Sequence, residues 1–326
     1  MLVQASGRLI TIIGGSGFLG RHIVRALAKR DYRIRVGCRR PDLAGHLQPL
    51  GTPGQVMPVQ VNVRYPASVA AACEGAFCVI NLTGVLHSSG AQSFDAIHCF
   101  GAEAVAKAAR AAKAKLLIHM SAIGADAASA SEYGRSKAEG EARAKAAFPG
   151  AIILRPSVVF GPEDDFFNRF AGLSRFSPAL PLIGGGETRF APVFVGDIAE
   201  AVARLADKGE ADGRTYELGG PRELSFKQLM QFTLDTIGRR RLLVPVPWAI
   251  ATMQAAVLGL LPKPLLTRDQ VELLKTDNVV SEQARLERRT LEGLGISPSG
   301  IEGIVPGYLY RYRKAGQFTA PKGIPE

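Results

Sequence analysis

Short runs of apolar, largely β-branched residues recur through the first half of the chain, and each is followed by a stretch whose apolar positions repeat at helical spacing. The runs predict strands at 9–13, 33–38, 55–61, 77–82, 116–120 and 151–155, and the helical spacing falls at 21–30, 67–73, 91–113 and 131–147. Strands that alternate with crossover helices form a parallel sheet covered on both faces. The expected fold class is therefore α/β, a Rossmann-type doubly wound parallel sheet, with ligands gathered on the loops at the carboxyl ends of the strands. Past Pro156 the alternation weakens, and prolines and glycines thicken over 176–192, as in a lobe built over the sheet edge. A helix at 195–205, with Asp197 near its start as a possible cap, and a strand at 215–218 return to the core pattern. From Leu224 onward several helices predict a C-terminal cap. The expected division is a sheet core over 1–160, a mixed lobe and helical cap over 161–315 that sends sheet-edge elements back to the core, and a flexible tail over 316–326.

The first predicted strand ends in three glycines spaced three apart, Gly14, Gly17 and Gly20, and a helix follows at once. A bound pyrophosphate needs that order: glycine admits positive backbone dihedrals, brings main-chain amides close to the phosphates and lets the helix start pack on the strand. An ordinary glycine-rich turn is the alternative. At the end of the second strand, where a carboxylate would grip the adenosine ribose of NAD(H), the chain instead reads Gly37, Cys38, Arg39, Arg40. With no acid to repel a 2′-phosphate and two guanidiniums at hand, this slot favours NADP(H) over NAD(H), each well-formed phosphate contact contributing roughly 1.5–3 kcal/mol. Arg39 is the expected main clamp and Arg40 its neighbour, the alternative being two solvated arginines in a turn.

About a dozen residues after the fifth strand, the segment YGRSK sets Tyr133 and Lys137 four apart on one helical face. There the ammonium can favour the phenolate and also hold a nicotinamide ribose, which makes the two an acid/base pair suited to hydride chemistry.

Composition narrows the partners. The formal net charge of +11 is spread along the chain in short clusters such as Arg239 to Arg241, without an aromatic-interleaved basic module, so no nucleic acid is expected. Cys38, Cys73, Cys78 and Cys99 form no CxxC pair and read as buried thiols of a reducing compartment. His22, His46, His87, His98 and His119 lack metal-ligand spacing, read as structural, and no metal is expected. The first strand begins at Leu9, leaving no room for a leader segment, so the expected location is cytoplasmic. The apolar stretch 248–261 falls short of the roughly 20 residues that span a bilayer. It reads either as a buried cap or as a surface helix meeting a membrane subunit or lipid, with Lys263 and Arg268 near anionic head groups.

Four segments together, GGSGFLG at 14–20, NLTG at 81–84, YGRSK at 133–137 and RPSVVFGP at 155–162, resemble the extended and atypical short-chain dehydrogenase/reductase superfamily over most of the chain. More narrowly, IHMSAIGAD at 118–126, the stretch 148–164 with Phe167 to Phe170, and 265–279 look like the nucleotide-binding accessory subunits of respiratory complex I, of the alpha-subcomplex subunit nine type, and their bacterial relatives. That resemblance implies a tightly held, structural NADPH in a subunit peripheral to the membrane, with complex I subunits as partners and the cytoplasmic face of the inner membrane as its place. Carried over by position, it implies Gly14, Ser16, Gly17, Phe18 and Gly20 at the pyrophosphate and Arg39 at the 2′-phosphate. Asn62 and Val63 fall on the adenine side, and Leu82, Thr83 and Gly84 form the wall after the fourth strand. Tyr133 and Lys137 meet the nicotinamide ribose, with Pro156 and Val158 at the nicotinamide end.

Two departures bear on activity. Ala122 occupies the position where the superfamily usually has a carbonyl-orienting Ser or Thr, and Ser121 stands one residue early, so Ser121 is the candidate orienter beside Tyr133 and Lys137. Asn62 replaces a common Asp toward adenine. The readings left open are an accessory or stabilising subunit, an active NADPH-dependent reductase or epimerase, and a sensor that changes partners with nucleotide state.

Overall fold

The computed structural model describes residues 7–259, 264 and 266–314, which divide into two compact units. The first comprises residues up to Pro156 with 195–218 and 281–296; the second comprises 157–194, 219–280 and 297 onward.

In the first unit β1 (Leu9–Ile13), β2 (Arg33–Cys38), β3 (Val56–Gln60), β4 (Cys78–Asn81), β5 (Leu116–Met120), β6 (Ile152–Pro156) and β7 (Thr215–Leu218) make one sheet. Its order is β3-β2-β1-β4-β5-β6-β7, and every pair is parallel. Helices α1 (Phe18–Ala28), α2 (Pro66–Cys73), α3 (Gly101–Ala111), α4 (Glu132–Ala147) and α5 (Val195–Lys208) flank it; α1 packs on α5, and α3 packs on both α2 and α4. This explains why the central strands are apolar throughout rather than alternating: β4 and β5 are buried at every position, as both faces are covered. The strand order reverses between β1 and β4, and such a reversal opens a crevice at the carboxyl ends of the two strands.

Two helix starts differ from the sequence pattern. The first begins at Phe18 rather than near residue 21, because extended Gly17 serves as its N-cap and its carbonyl already accepts the Arg21 N–H (3.1 Å). The long helix expected from 91 begins only at 94–95, with one wide turn (Asp95–Phe100) before α3. Ser89 and Gln92 pair across a tight turn at Gly90, and the hydroxyls of Ser88 and Ser93 accept the Phe94 and Ala96 N–H groups, which sets the start there.

A half-buried ion pair ties α4 to the sheet. Arg155 on β6 donates from Nε and Nη2 to the two carboxylate oxygens of Glu141 (2.8 and 2.7 Å), with Glu217 on β7 next at 3.9 Å.

The second unit contains a Phe-rich core around Phe160, Phe167, Phe226, Leu229 and Met230. Its strand Leu242–Val246 pairs in parallel with Ala179–Ile183 and was not foreseen from sequence, where only helices were expected past Leu224. Pro245 removes a ladder donor, and Leu242, Val244 and Pro245 are exposed, which is the signature of an edge strand rather than of a core run. Helix Trp248–Leu258 buries only Ala251 and Ala255, while Ile250, Met253 and Val257 are exposed, so a fully buried cap is not what this segment forms. No helix among the described residues is long and apolar enough to cross a membrane. Lys263 and the expected tail over 316–326 lie outside the described residues.

Glu141→Ala would leave Arg155 half-buried without its bidentate partner. The expected loss is about 3 kcal/mol of stability, at the lower end for a buried pair because Arg155 is partly exposed and Glu217 remains near. A chemical-denaturation midpoint unchanged from wild type would contradict this role.

Candidate functional site

The loops after β1 and β4 meet at the switch point. Gly14, with φ +83°, donates its N–H to Gly37 O (2.8 Å), and a Cβ on it would lie 3.2 Å from Leu82 C and Thr83 N. A side chain would therefore both strain the backbone and press on the β4 loop. At Gly20 a Cβ would fall 2.1 Å from Gly15 O, so α1 starts in direct contact with the turn. Ser16 is half-buried and hydrogen-bonds the Cys38 thiol at the end of β2, Gly17 is exposed, and Phe18 is half-buried with its ring edge-on to His22. The structure thus brings together Gly14, Leu82 and Thr83, with Ser16 beside the β2 terminus, as a glycine cradle of the kind that admits a pyrophosphate.

Past β4, Thr83 is held by Asn81, whose Oδ1 accepts both its N–H (3.1 Å) and its hydroxyl (2.6 Å). Asn81 Nδ2 faces His119 Nδ1 at 3.1 Å, which assigns the proton of His119 to Nε2. His98 Nε2 accepts the Val85 N–H (3.0 Å), leaving Nδ1–H to donate to Ser136 Oγ (2.9 Å), whose hydroxyl donates to Tyr133 O (2.9 Å). The His98 ring also stacks on Phe94 and meets Tyr133 edge-on. The loop carrying Leu82 to Val85 is thereby coupled to the helix carrying Tyr133 and Lys137. The only local trace of this coupling in the chain is a polar residue inside each of two apolar runs, Asn81 and His119.

Lys137 is 5% exposed. Its Nζ donates to Met120 O (3.4 Å), lies 5.8 Å from the Tyr133 ring centre and would be 3.3 Å from a Cβ on Gly84. Burial lowers its pKa to about 8, with Glu141 opposing. Burial and then the Lys137 charge drive His98 down to about 3, and the same two causes act on His119, also to about 3. Both imidazoles are neutral hydrogen-bonding groups, and the ammonium is the cation of the cluster. One residue past Met120, Ser121 is 4% exposed and its Oγ has no hydrogen-bond partner among the described residues, whereas Ala122 is half-buried. A buried hydroxyl left unpaired is costly unless a ligand completes it.

The two arginines separate. Arg39 is exposed and donates from Nη1 to Gln92 Oε1 (2.6 Å). Arg40, expected as a second clamp, forms an exposed bidentate pair with Asp42 (Nη2 to Oδ2 2.8 Å), which engages its Nε and Nη2. Asn62 spends its Oδ1 on the Arg64 N–H (3.1 Å), and Val63 is buried against Gly101 rather than open to a base. Pro156 is buried at the end of β6, and Val158 belongs to the second unit, where its carbonyl accepts the Val193 N–H. No cluster of His, Cys, Asp and Glu among the described residues could hold a metal ion.

A seven-stranded parallel sheet with a glycine cradle at its switch point defines a nucleotide-binding fold of the Rossmann type. The NAD dependent epimerase/dehydratase family model matches residues 10–219, and the chain belongs to that family. It is 35% identical to the mitochondrial "NADH dehydrogenase [ubiquinone] 1 alpha subcomplex subunit 9" of Arabidopsis thaliana, a match covering 96% of this chain and 80% of the relative. Over 61% of each chain it is also 35% identical to a ceramide reductase of Caulobacter vibrioides. Among solved structures, the dTDP-glucose 4,6-dehydratase DesIV of Streptomyces venezuelae, with NAD and TYD bound, shares the fold at TM-score 0.70 and 20% identity, covering 93% of this chain and 96% of that one. An NAD(P)-type nucleotide is the family's cofactor, and the cradle, Lys137 and unpaired Ser121 fit it.

The imidazoles make stability pH-dependent. Between about pH 6.5 and 3 the unfolded chain binds protons that the folded His98 and His119 refuse, so their contribution to stability is full above 6.5 and falls as the pH drops through that window. The urea midpoint is expected to fall steadily below pH 6.5, and less steeply in His98→Asn. An imidazole resonance of His98 or His119 titrating near 6.5 in the native protein would contradict the buried, neutral assignment.

Proposed function

We propose that this chain holds NADP(H) at the switch-point crevice and serves as an accessory or stabilising subunit of a respiratory NADH:ubiquinone oxidoreductase, with the nucleotide as part of its architecture. The observation that carries the reading is the similarity to the Arabidopsis subunit across 96% of the chain, including both compact units. The residues supply a complete cradle. Amides of the turn at Gly14, Ser16, Gly17, Phe18 and Gly20 face the pyrophosphate, and Arg39, with no acid at the end of β2, takes the 2′-phosphate in preference to the bare ribose of NAD(H). Asn62 presents its Nδ2 on the adenine side, and Leu82, Thr83 and Gly84 wall the ribose. Buried Lys137 hydrogen-bonds the nicotinamide ribose together with Tyr133. When bound, the nicotinamide supplies a hydride donor or acceptor. The exposed apolar residues of helix Trp248–Leu258 support a seat on a membrane-side subunit or the lipid beside it, at the periphery of the inner membrane.

A second reading, an active NADPH-dependent reductase, is favoured by one specific observation: Ser121 keeps a buried, unpartnered hydroxyl next to the carbonyl that binds Lys137. In that reading Ser121 orients a substrate carbonyl, Tyr133 exchanges the proton and Lys137 holds the phenolate form.

Comigration on a native gel separates the two. Tagged protein in membranes of the organism that encodes it is expected to run with NADH:ubiquinone oxidoreductase, and the purified chain to oxidise NADPH no faster with carbonyl compounds than without them. Migration apart from the complex, together with carbonyl-dependent NADPH oxidation abolished by Tyr133→Phe, would replace the first reading by the second.

A further inference from the structure

Two guanidiniums converge on one dipeptide at the adenosine end of the sheet. Arg39, just past β2, donates to the Gln92 side chain, and Arg64, just past β3, donates from Nη1 to the carbonyl of the adjoining Ala91 (3.3 Å). Neither has a carboxylate partner among the described residues, in contrast to Arg40, which Asp42 neutralises. The position of Arg64 is built rather than incidental. Its N–H is fixed by Asn62 Oδ1, the Asn62 N–H is fixed by Ser68 Oγ (3.1 Å), and its guanidinium lies 5.8 Å from the centre of the Tyr65 ring. Both guanidiniums thus rest on neutral oxygens of the same dipeptide, Ala91 and Gln92.

We propose that Arg39 and Arg64 together form a site for a phosphomonoester, the 2′-phosphate of the nucleotide, and that Ala91 O and Gln92 Oε1 hold the two guanidiniums until it binds. The proposal rests on the reading that the chain takes NADP(H), and it moves the second cation from Arg40, where the sequence suggested it, to Arg64. A phosphate dianion offers three oxygens to two forks of parallel N–H donors. Hydrogen bonds of guanidinium to phosphate are about twice as strong as those to a neutral carbonyl or amide, so the exchange of partners runs toward the phosphate. Arg64 reaches the site from β3, the strand beside β2 at the sheet edge, and therefore closes the side of the phosphate opposite the glycine turn, which comes from β1. Nothing in this arrangement touches the nicotinamide half, so the pair sets nucleotide choice and not chemistry.

Calorimetry on the full chain with NADPH, NADH, 2′,5′-ADP and inorganic phosphate tests it. Wild type is expected to prefer NADPH and to bind 2′,5′-ADP. Arg64→Gln should weaken NADPH and 2′,5′-ADP by about 10- to 100-fold, with NADH changed less than twofold. Arg64→Lys, which keeps the charge and loses the fork, should fall between, and Arg40→Gln should match wild type. Equal weakening of NADPH and NADH by Arg64→Gln, or no change in either while Arg39→Gln alone removes the preference, would overturn the Arg64 assignment and leave the NADP(H) reading standing. Competition against NADPH by inorganic phosphate but not by 2′,5′-ADP would overturn it too, as a general anion site. A wild-type chain that binds NADH as tightly as NADPH would remove the NADP(H) reading itself and the proposal with it.

Discussion

Everything in the candidate site hangs on how closely the turn after β1 approaches the turn after β4. Gly14 lies against Leu82 and Thr83 with no room for a side chain, and Gly20 sits as tightly on Gly15. Because the strand order reverses between these two strands, that contact also defines the crevice and fixes which amides face into it. Asn81 then anchors Thr83, and His98 anchors Val85, so the loop after β4 is fixed from both ends by side chains of the sheet and of the turn before α3.

The electrostatics follow from the same packing. Lys137 carries a charge into a buried cluster that contains two neutral imidazoles and, among the described residues, no ion-paired carboxylate, Glu141 being engaged by Arg155. A buried ammonium in such surroundings is costly, and its protein acceptor is a main-chain carbonyl at 3.4 Å. Ser121 adds a hydroxyl with no partner among the described residues. Both lie around the Met120 carbonyl, and a ligand that brings hydroxyl or carbonyl oxygens would relieve both. The arrangement is thus suited to binding, whether or not turnover follows.

Much of this was legible in the sequence. Strands β1 to β6 showed as apolar runs because a parallel sheet is covered on both faces, and the glycine spacing located the cradle because positive φ and close approach leave no substitute. Less was visible where the partner is distant in the chain. His98 meets Ser136 and Asn81 meets His119, each across 38 positions, and no local pattern encodes those pairs. In sequence Arg40 is equivalent to Arg39, and its pairing with Asp42 emerges only in the fold; a single arginine after a strand, such as Arg64, carries no spacing signal. The strand Leu242–Val246 is masked in the sequence by Pro245 and by Pro247 just beyond it, since proline is tolerated at an edge but reads as a break.

Native mass spectrometry of the freshly purified protein, followed by release and identification of the bound species, tests the central claim most directly. The account predicts one equivalent of NADP(H) retained through purification. A chain that is recovered empty and gives no calorimetric heat with either pyridine dinucleotide would contradict it.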